Sequence, residues 1–172
     1  MAFVVETGVG LPNATSYATV DAFKAYHEDT CEALPAGTTN RKIRGALIEA
    51  TRYLDRRYRT VFIGIRRLVT QSLEFPRINA FYGDGRIVEN VPPEIQDATH
   101  ELAFRALTTV LAPDPSYDDS NRVVTEFDER VGPIREKKKF SDDGVILEWR
   151  KYPEVQGLIR ELIVEGESLK RA

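Results

Sequence analysis

Apolar residues recur at three-to-four spacing in four stretches of the chain. Val20, Phe23 and Tyr26 or His27 mark a short first helix. Ile43, Leu47, Ala50, Leu54 and Tyr58, flanked by Ala46 and Tyr53, mark a longer second one. Ile95, Ala98, Leu102, Ala106 and Val110, with Thr99, Ala103 and Leu107 beside them, mark a third. Val155, Leu158, Ile159, Leu162 and Ile163 follow Tyr152-Pro153 as a last apolar stripe, which either closes the bundle or docks on a partner. The starts carry caps: Ser16 or Thr19 for the first helix and Thr38, Thr39 or Asn40 for the second, because a side-chain oxygen there accepts from orphan backbone N–H groups. Pro93 has the fixed φ of a first helical position, and Glu94 and Asp97 suit the positive end of the third helix.

Between the second and third helices the period changes. Val61 to Ile65 is β-prone and Leu68 to Phe75 alternates only in part, so irregular or strand-like wrapping is expected. Phe75 precedes a proline and is biased away from helix, while Phe81-Tyr82-Gly83-Asp84-Gly85-Arg86 reads as a turn with residues that tolerate positive φ. The stretch from Leu73 to Pro93 is therefore a hinge with that turn as its exposed tip. Phe3 to Val5, ended by Gly8, Gly10 and Pro12, reads as a terminal strand or arm. Pro113 to Asp119 reads as a linker. Beyond it Val123 to Phe127 and Val131 to Ile134 look like strands, and Lys137, Lys138 and Lys139 lead to a Ser-Asp-Asp-Gly turn before Val145 to Trp149.

The expected fold is mainly α: a small helical bundle with a Gly-rich loop or hairpin between helices two and three, a protruding β segment and a C-terminal helix. Residues 1–112 form the helical core with its N-terminal arm, 113–121 the linker, and 122–172 the β segment and C-terminal helix of the same domain. A chain of 172 residues with 42% hydrophobic content can fill one such core.

Composition narrows the chemistry. One cysteine and two histidines rule out an internal disulfide framework and a Cys-based zinc cluster, so no cofactor or metal is expected. His27 and Cys31 are four apart, the spacing of a thiol with a base, but Leu34-Pro35-Ala36-Gly37 ends the helix near Cys31. Glu74, Asp84 and Glu101 are dispersed carboxylates with no motif around them, and no Gly-rich phosphate loop or nucleophile–base–orienter set is present, so an enzyme is not expected. The N-terminus has no basic n-region or long apolar run, and nothing approaches the roughly 18 apolar residues of a membrane span, which predicts a soluble protein made in the cytoplasm.

Charge is segregated along the chain. Residues 41–67 carry nine Lys or Arg against Glu49 and Asp55, whereas residues 68–121 carry three basic residues against nine acids, within a net charge of −3. Arg41, Lys42, Arg44, Arg52, Arg56 and Arg59 share the polar side of the second helix. Such a face is either solvated, with long stems lying over the core edge, or a surface for nucleic acid or an acidic partner. Tyr53 and Tyr58 lie near these arginines and could stack bases, although helical spacing puts Tyr58 on the apolar side.

Asn13-Ala14-Thr15-Ser16-Tyr17, Ala50-Thr51-Arg52-Tyr53-Leu54-Asp55, Gln71-Ser72-Leu73-Glu74-Phe75-Pro76-Arg77, Val91-Pro92-Pro93 and Arg130-Val131-Gly132-Pro133-Ile134 together resemble tailed-phage head-tail connector (adaptor) proteins, many of which carry the label DnaT-like single-stranded-DNA-binding protein. The resemblance implies a structural virion protein at the capsid–tail junction. It would form a homo-oligomeric ring, typically of twelve copies, under the portal protein, extend the channel for double-stranded DNA and seat the next neck or tail protein. Under that reading Arg52, Arg56, Arg57 and Arg59 meet a neighbouring subunit or the DNA channel, and Phe81, Tyr82, Asp84 and Arg86 meet a neighbour. Trp149, Tyr152, Val155, Leu158, Ile159, Leu162 and Ile163 dock on the portal, and Lys137, Lys138 and Lys139 form the tip of the β segment. The alternative implied by the label is a replication accessory that binds single-stranded DNA.

Overall fold

Thr19 and Thr39 are the residues that start the first two helices in the computed structural model, which describes residues 2–112, 124–130, 135–140 and 151–164. The Thr19 hydroxyl accepts from the Ala22 amide at 3.0 Å and opens α1 (Val20–Asp29); the Thr39 hydroxyl accepts from the Lys42 amide and opens α2 (Asn40–Tyr58). Cys31, at φ 58°, turns the chain away just beyond α1. Pro92 and Pro93 start α3 (Pro93–Ala106). The protein is mainly α, as the periodicity implies.

Two compact units result. One comprises Met1–Leu111 with Lys151–Ala172, and the other Ala112–Arg150. In the first, α2 packs chiefly on α3, and α4 (Pro153–Leu158) with the 3-10 turn Arg160–Leu162 closes the bundle against α3. Leu47, Leu54, Ile95, Leu102, Phe75 and Ile159 are fully buried, and each contributes roughly 1.5–3 kcal/mol by leaving water. Val155 and Leu162 are equally buried, so the last apolar stripe is spent on this core. The tail is also stitched by backbone: the Ile63 amide donates to the Leu162 carbonyl and the Val164 amide to the Val61 carbonyl.

The hinge has more internal order than its letters suggest. β1 (Ile65–Arg66) pairs antiparallel with β2 (Arg77–Ile78), and Phe81 bridges Ile87 across the following turn. Gly64, at φ +70°, carries the chain into β1 where a Cβ would lie 2.5 Å from the Ile78 carbonyl oxygen, so only glycine fits. The buried Arg77 guanidinium donates to the Ile63 and Gly64 carbonyls at 2.8 Å and to Glu74 at 2.9 Å, which locks both sides of the hinge.

The N-terminal arm is also built rather than loose. The buried Glu6 carboxylate accepts from the amides of Gly8, Val9, Gly10 and Leu11 at 2.7–3.0 Å, so a single side chain satisfies four turn donors. Val5 then bridges Ser16.

The second unit contains β3 (Val124–Arg130) paired antiparallel with β4 (Arg135–Phe140). This corrects the expected layout. Lys137, Lys138 and Lys139 lie inside β4, opposite Asp128, Phe127 and Glu126, and not at a turn. The expected strands at Val131–Ile134 and Val145–Trp149, and the 113–121 linker, lie outside the described residues. Among the described residues no helix is long and apolar enough to cross a membrane.

Candidate nucleic-acid interface

On α2 the buried positions Ile43, Leu47, Ala50, Leu54 and Tyr58 take one side. At 100° per residue Arg41, Arg44, Arg52, Arg56 and Arg59 fall within about 120° of arc on the other, and all five are exposed. The row runs about 27 Å from Arg41 to Arg59, at 1.5 Å per residue. Arg57 lies off it, half-buried with its guanidinium over the Tyr58 ring at 5.4 Å.

Asp55 and Glu74 are committed inward, whereas Glu49 is exposed at the edge of the arc. The Tyr17 hydroxyl donates to Asp55 Oδ1 at 2.5 Å, and the Glu74 amide donates to Asp55 Oδ2 at 3.2 Å. The same hydroxyl accepts from the amides of Glu74 and Phe75 at 3.0 and 3.1 Å. Burial pushes the Asp55 carboxyl up to about 7, and burial beside Asp55 holds the Tyr17 hydroxyl well above its ordinary range. Glu74 in turn pairs with buried Arg77 and reaches Arg59 at 3.4 Å, so the C-terminal end of the row is partly neutralised.

The row lacks the aromatic platforms that its neighbours in sequence suggest. Tyr53 and Tyr58 are 3% and 5% exposed, and Tyr53 meets the Tyr152 ring edge-on inside the unit. Phe3, half-buried, lies beneath the Arg44 guanidinium at 5.9 Å from its ring centre.

The other expected contact residues scatter. Phe81, Asp84 and Arg86 are exposed at the turn, with Arg86 Nε on Asp84 Oδ2 at 2.6 Å, but Tyr82 is buried and its hydroxyl donates to Glu94 at 3.0 Å. Of the C-terminal set, Val155, Ile159 and Leu162 are core, Tyr152, Leu158 and Ile163 are half-buried, and Trp149 lies outside the described residues. His27 and Cys31 do not meet as base and thiol. Buried His27 points Nδ1 at Glu32, 2.8 Å away, whereas Cys31 is exposed beyond the helix end. Glu101 is spent between the Tyr26 hydroxyl and Arg105, and Arg105 also pairs with Glu154. Among the described residues no group of three or more His, Cys, Asp or Glu is placed to hold a metal ion.

The Tyr17–Asp55–Glu74 junction is what sequence reading missed. Its members come from three separate segments, and its only trace in one dimension is that each segment holds a polar residue beside apolar ones.

A family model described as "Putative DnaT-like ssDNA binding protein" matches residues 1–172. No curated protein and no solved structure matches the chain.

Proposed function

The chain belongs to the DnaT-like family matched over its full length, and from that premise we propose that it binds single-stranded DNA through the arginine row of α2. The observation that carries the reading is five exposed arginines on one arc of a rigid helix whose opposite side is core. Guanidinium groups pair with phosphate oxygens in a planar, two-pronged fashion, and a row of them tracks a backbone without reading bases. With Tyr53 and Tyr58 buried, Phe3 is the aromatic ring left beside the row among the described residues, so the interaction is dominated by phosphate contacts and tolerant of sequence. Reversing Arg44 and Arg56 together to Glu lowers affinity for a labelled oligo-dT at least tenfold at low salt, read by fluorescence anisotropy. An unchanged affinity removes the row from the interface.

A second reading, the head-tail connector, draws support from exposed apolar residues on the hinge. Ile65 and Ile78 face each other across β1–β2 at 58% and 42% exposure, and Phe81 and Ile87 face each other at 54% and 62%. Paired apolar side chains in water favour cover by another surface, as a ring of copies under a portal would supply. In that reading Phe81, Asp84 and Arg86 meet a neighbouring subunit, and the arginine row faces double-stranded DNA in the channel. Sedimentation of the purified chain with and without a portal ring separates the two: a protein that stays monomeric and ignores the portal is not a connector.

A further inference from the structure

We propose that α1 is a flap released by acid: a proton taken up by His100 detaches this helix from α3 while α2, α3 and α4 stay folded. The arginine row of α2 has no part in the release, which therefore stands apart from the DNA reading.

The trigger is a buried ring with nothing to bond. His100 is 5% exposed, and neither ring nitrogen has a hydrogen-bond partner among the described residues. Asp97 Oδ1, 3.9 Å from Nδ1, is beyond hydrogen-bond reach. A neutral imidazole leaves two polar atoms unmet there, but an imidazolium leaves a charge, and a buried charge without a bonded partner is far the costlier. The cage around the ring comes from α1. Tyr26 lies 4.9 Å and Phe23 6.2 Å from it, centre to centre, and His27 Nε2 lies 3.3 Å from the His100 carbonyl oxygen. Tyr26 and His27 are the titratable groups that face His100 from α1, with Glu32 on the other nitrogen of His27 at 2.8 Å. From α3, Asp97 faces it, and Glu101 is held between the Tyr26 hydroxyl and Arg105. Arg105 also pairs with Glu154 at the start of α4. Burial and His27 are what hold the ring neutral, and among the described residues no charge on α2 contributes.

α1 is also the helix with the fewest anchors. It buries Val20, Phe23 and His27, and two of these three lie against His100, whereas α2 buries eight residues. At ten residues it is shorter than the roughly 12–15 at which an isolated helix becomes even marginal in water, so it melts once it leaves α3. Water then reaches His100, which takes a proton at its ordinary value. Between 6.5 and about 4 the open form binds the extra proton, so opening grows as pH falls through that window.

Hydrogen exchange of the full chain at pH 7, 6 and 5, corrected for the intrinsic exchange rate, reads this opening. Amides of residues 23–30 are expected to open about twentyfold more at pH 5 than at pH 7, as the displacement of His100 requires, while amides of residues 47–58 do not follow. His100→Phe and the smaller His100→Leu remove the response of α1, and His27→Gln keeps it. An α1 that opens no more at pH 5 overturns the proposal, and so do α1 and α2 amides that rise together as in global unfolding; both outcomes are read on the unmutated protein. A response that survives in both His100 variants and disappears in His27→Gln makes His27 the trigger and overturns it too. Each of these outcomes leaves oligo-dT binding, and with it the DNA reading, to stand or fall separately.

Discussion

Tyr17→Phe lowers stability by about 2–4 kcal/mol, although it removes one oxygen and keeps the ring against Phe75. The hydroxyl is buried with three partners, donating to Asp55 and accepting from the amides of Glu74 and Phe75. Without it the Phe75 amide loses this acceptor and Asp55 Oδ1 loses its donor, and each buried polar group left unmade costs about 1–3 kcal/mol. The Glu74 amide keeps Asp55 Oδ2, which limits the loss. Because Tyr17 and Asp55 act through one junction, Tyr17→Phe combined with Asp55→Asn costs less than the two single changes summed. Urea denaturation reads this as a fall in midpoint at constant slope. A cost under about 0.5 kcal/mol, the range of an ordinary surface substitution, would mean that the junction does not hold the hinge to α2.

Acid titration separates two buried groups that oppose each other. His100 is 5% exposed, has no hydrogen-bond partner for either ring nitrogen among the described residues, and is packed against Phe23 and Tyr26 from α1 with Asp97 3.9 Å away on its own helix. Burial, with His27 nearby, pushes it down from 6.5 to about 4. Between those values the unfolded chain binds the extra proton, so this contribution to stability is lost as pH falls below 6.5, by about 2 kcal/mol at pH 5. Asp55 has the opposite sign. Its carboxyl is raised from 3.8 to about 7, so between those values the folded chain binds the extra proton and stability rises as pH falls. Tyr17, Glu74 and Arg77 face Asp55, and burial remains the larger cause. Between pH 5 and 7 these two contributions therefore oppose each other. His100→Phe becomes more stable on acidification and Asp55→Asn becomes less stable, and urea midpoints at three pH values show both slopes. Parallel slopes in the two variants would contradict these assignments.

The helices were legible because each repeats one apolar period over several turns and carries its own start signal. Thr19, Thr39 and Pro93 start the helices at positions the sequence offers, and the buried set of α2 follows the spacing; that of α3 follows it only as far as Ala103, because the helix ends at Ala106 and Val110 lies exposed beyond it. What depends on contact between distant segments was not legible. Nothing local marks Tyr17 as a partner of Asp55, 38 residues on. The glycines after Glu6 read as a loose arm because the sequence does not show a carboxylate gathering four amides. The C-terminal stripe has the same letters whether it binds a partner or its own chain, and burial of Val155, Ile159 and Leu162 is settled by α3 and residues 61–63. For the site, the arginine row was visible from composition and period. The burial of Tyr53, which takes away its stacking role, is set by Tyr152, almost a hundred residues later.

The most direct measurement is the salt dependence of binding to an oligo-dT. Each neutralised phosphate on a single strand contributes about −0.7 to the slope of log affinity against log salt. Four to five arginines, with Arg59 partly engaged by Glu74, predict a slope of about −3, reduced toward −2 when Arg52 and Arg56 are both changed to Ala. No binding at low salt, or a slope that the arginine changes leave unaltered, contradicts the assignment of α2 as the DNA-binding face.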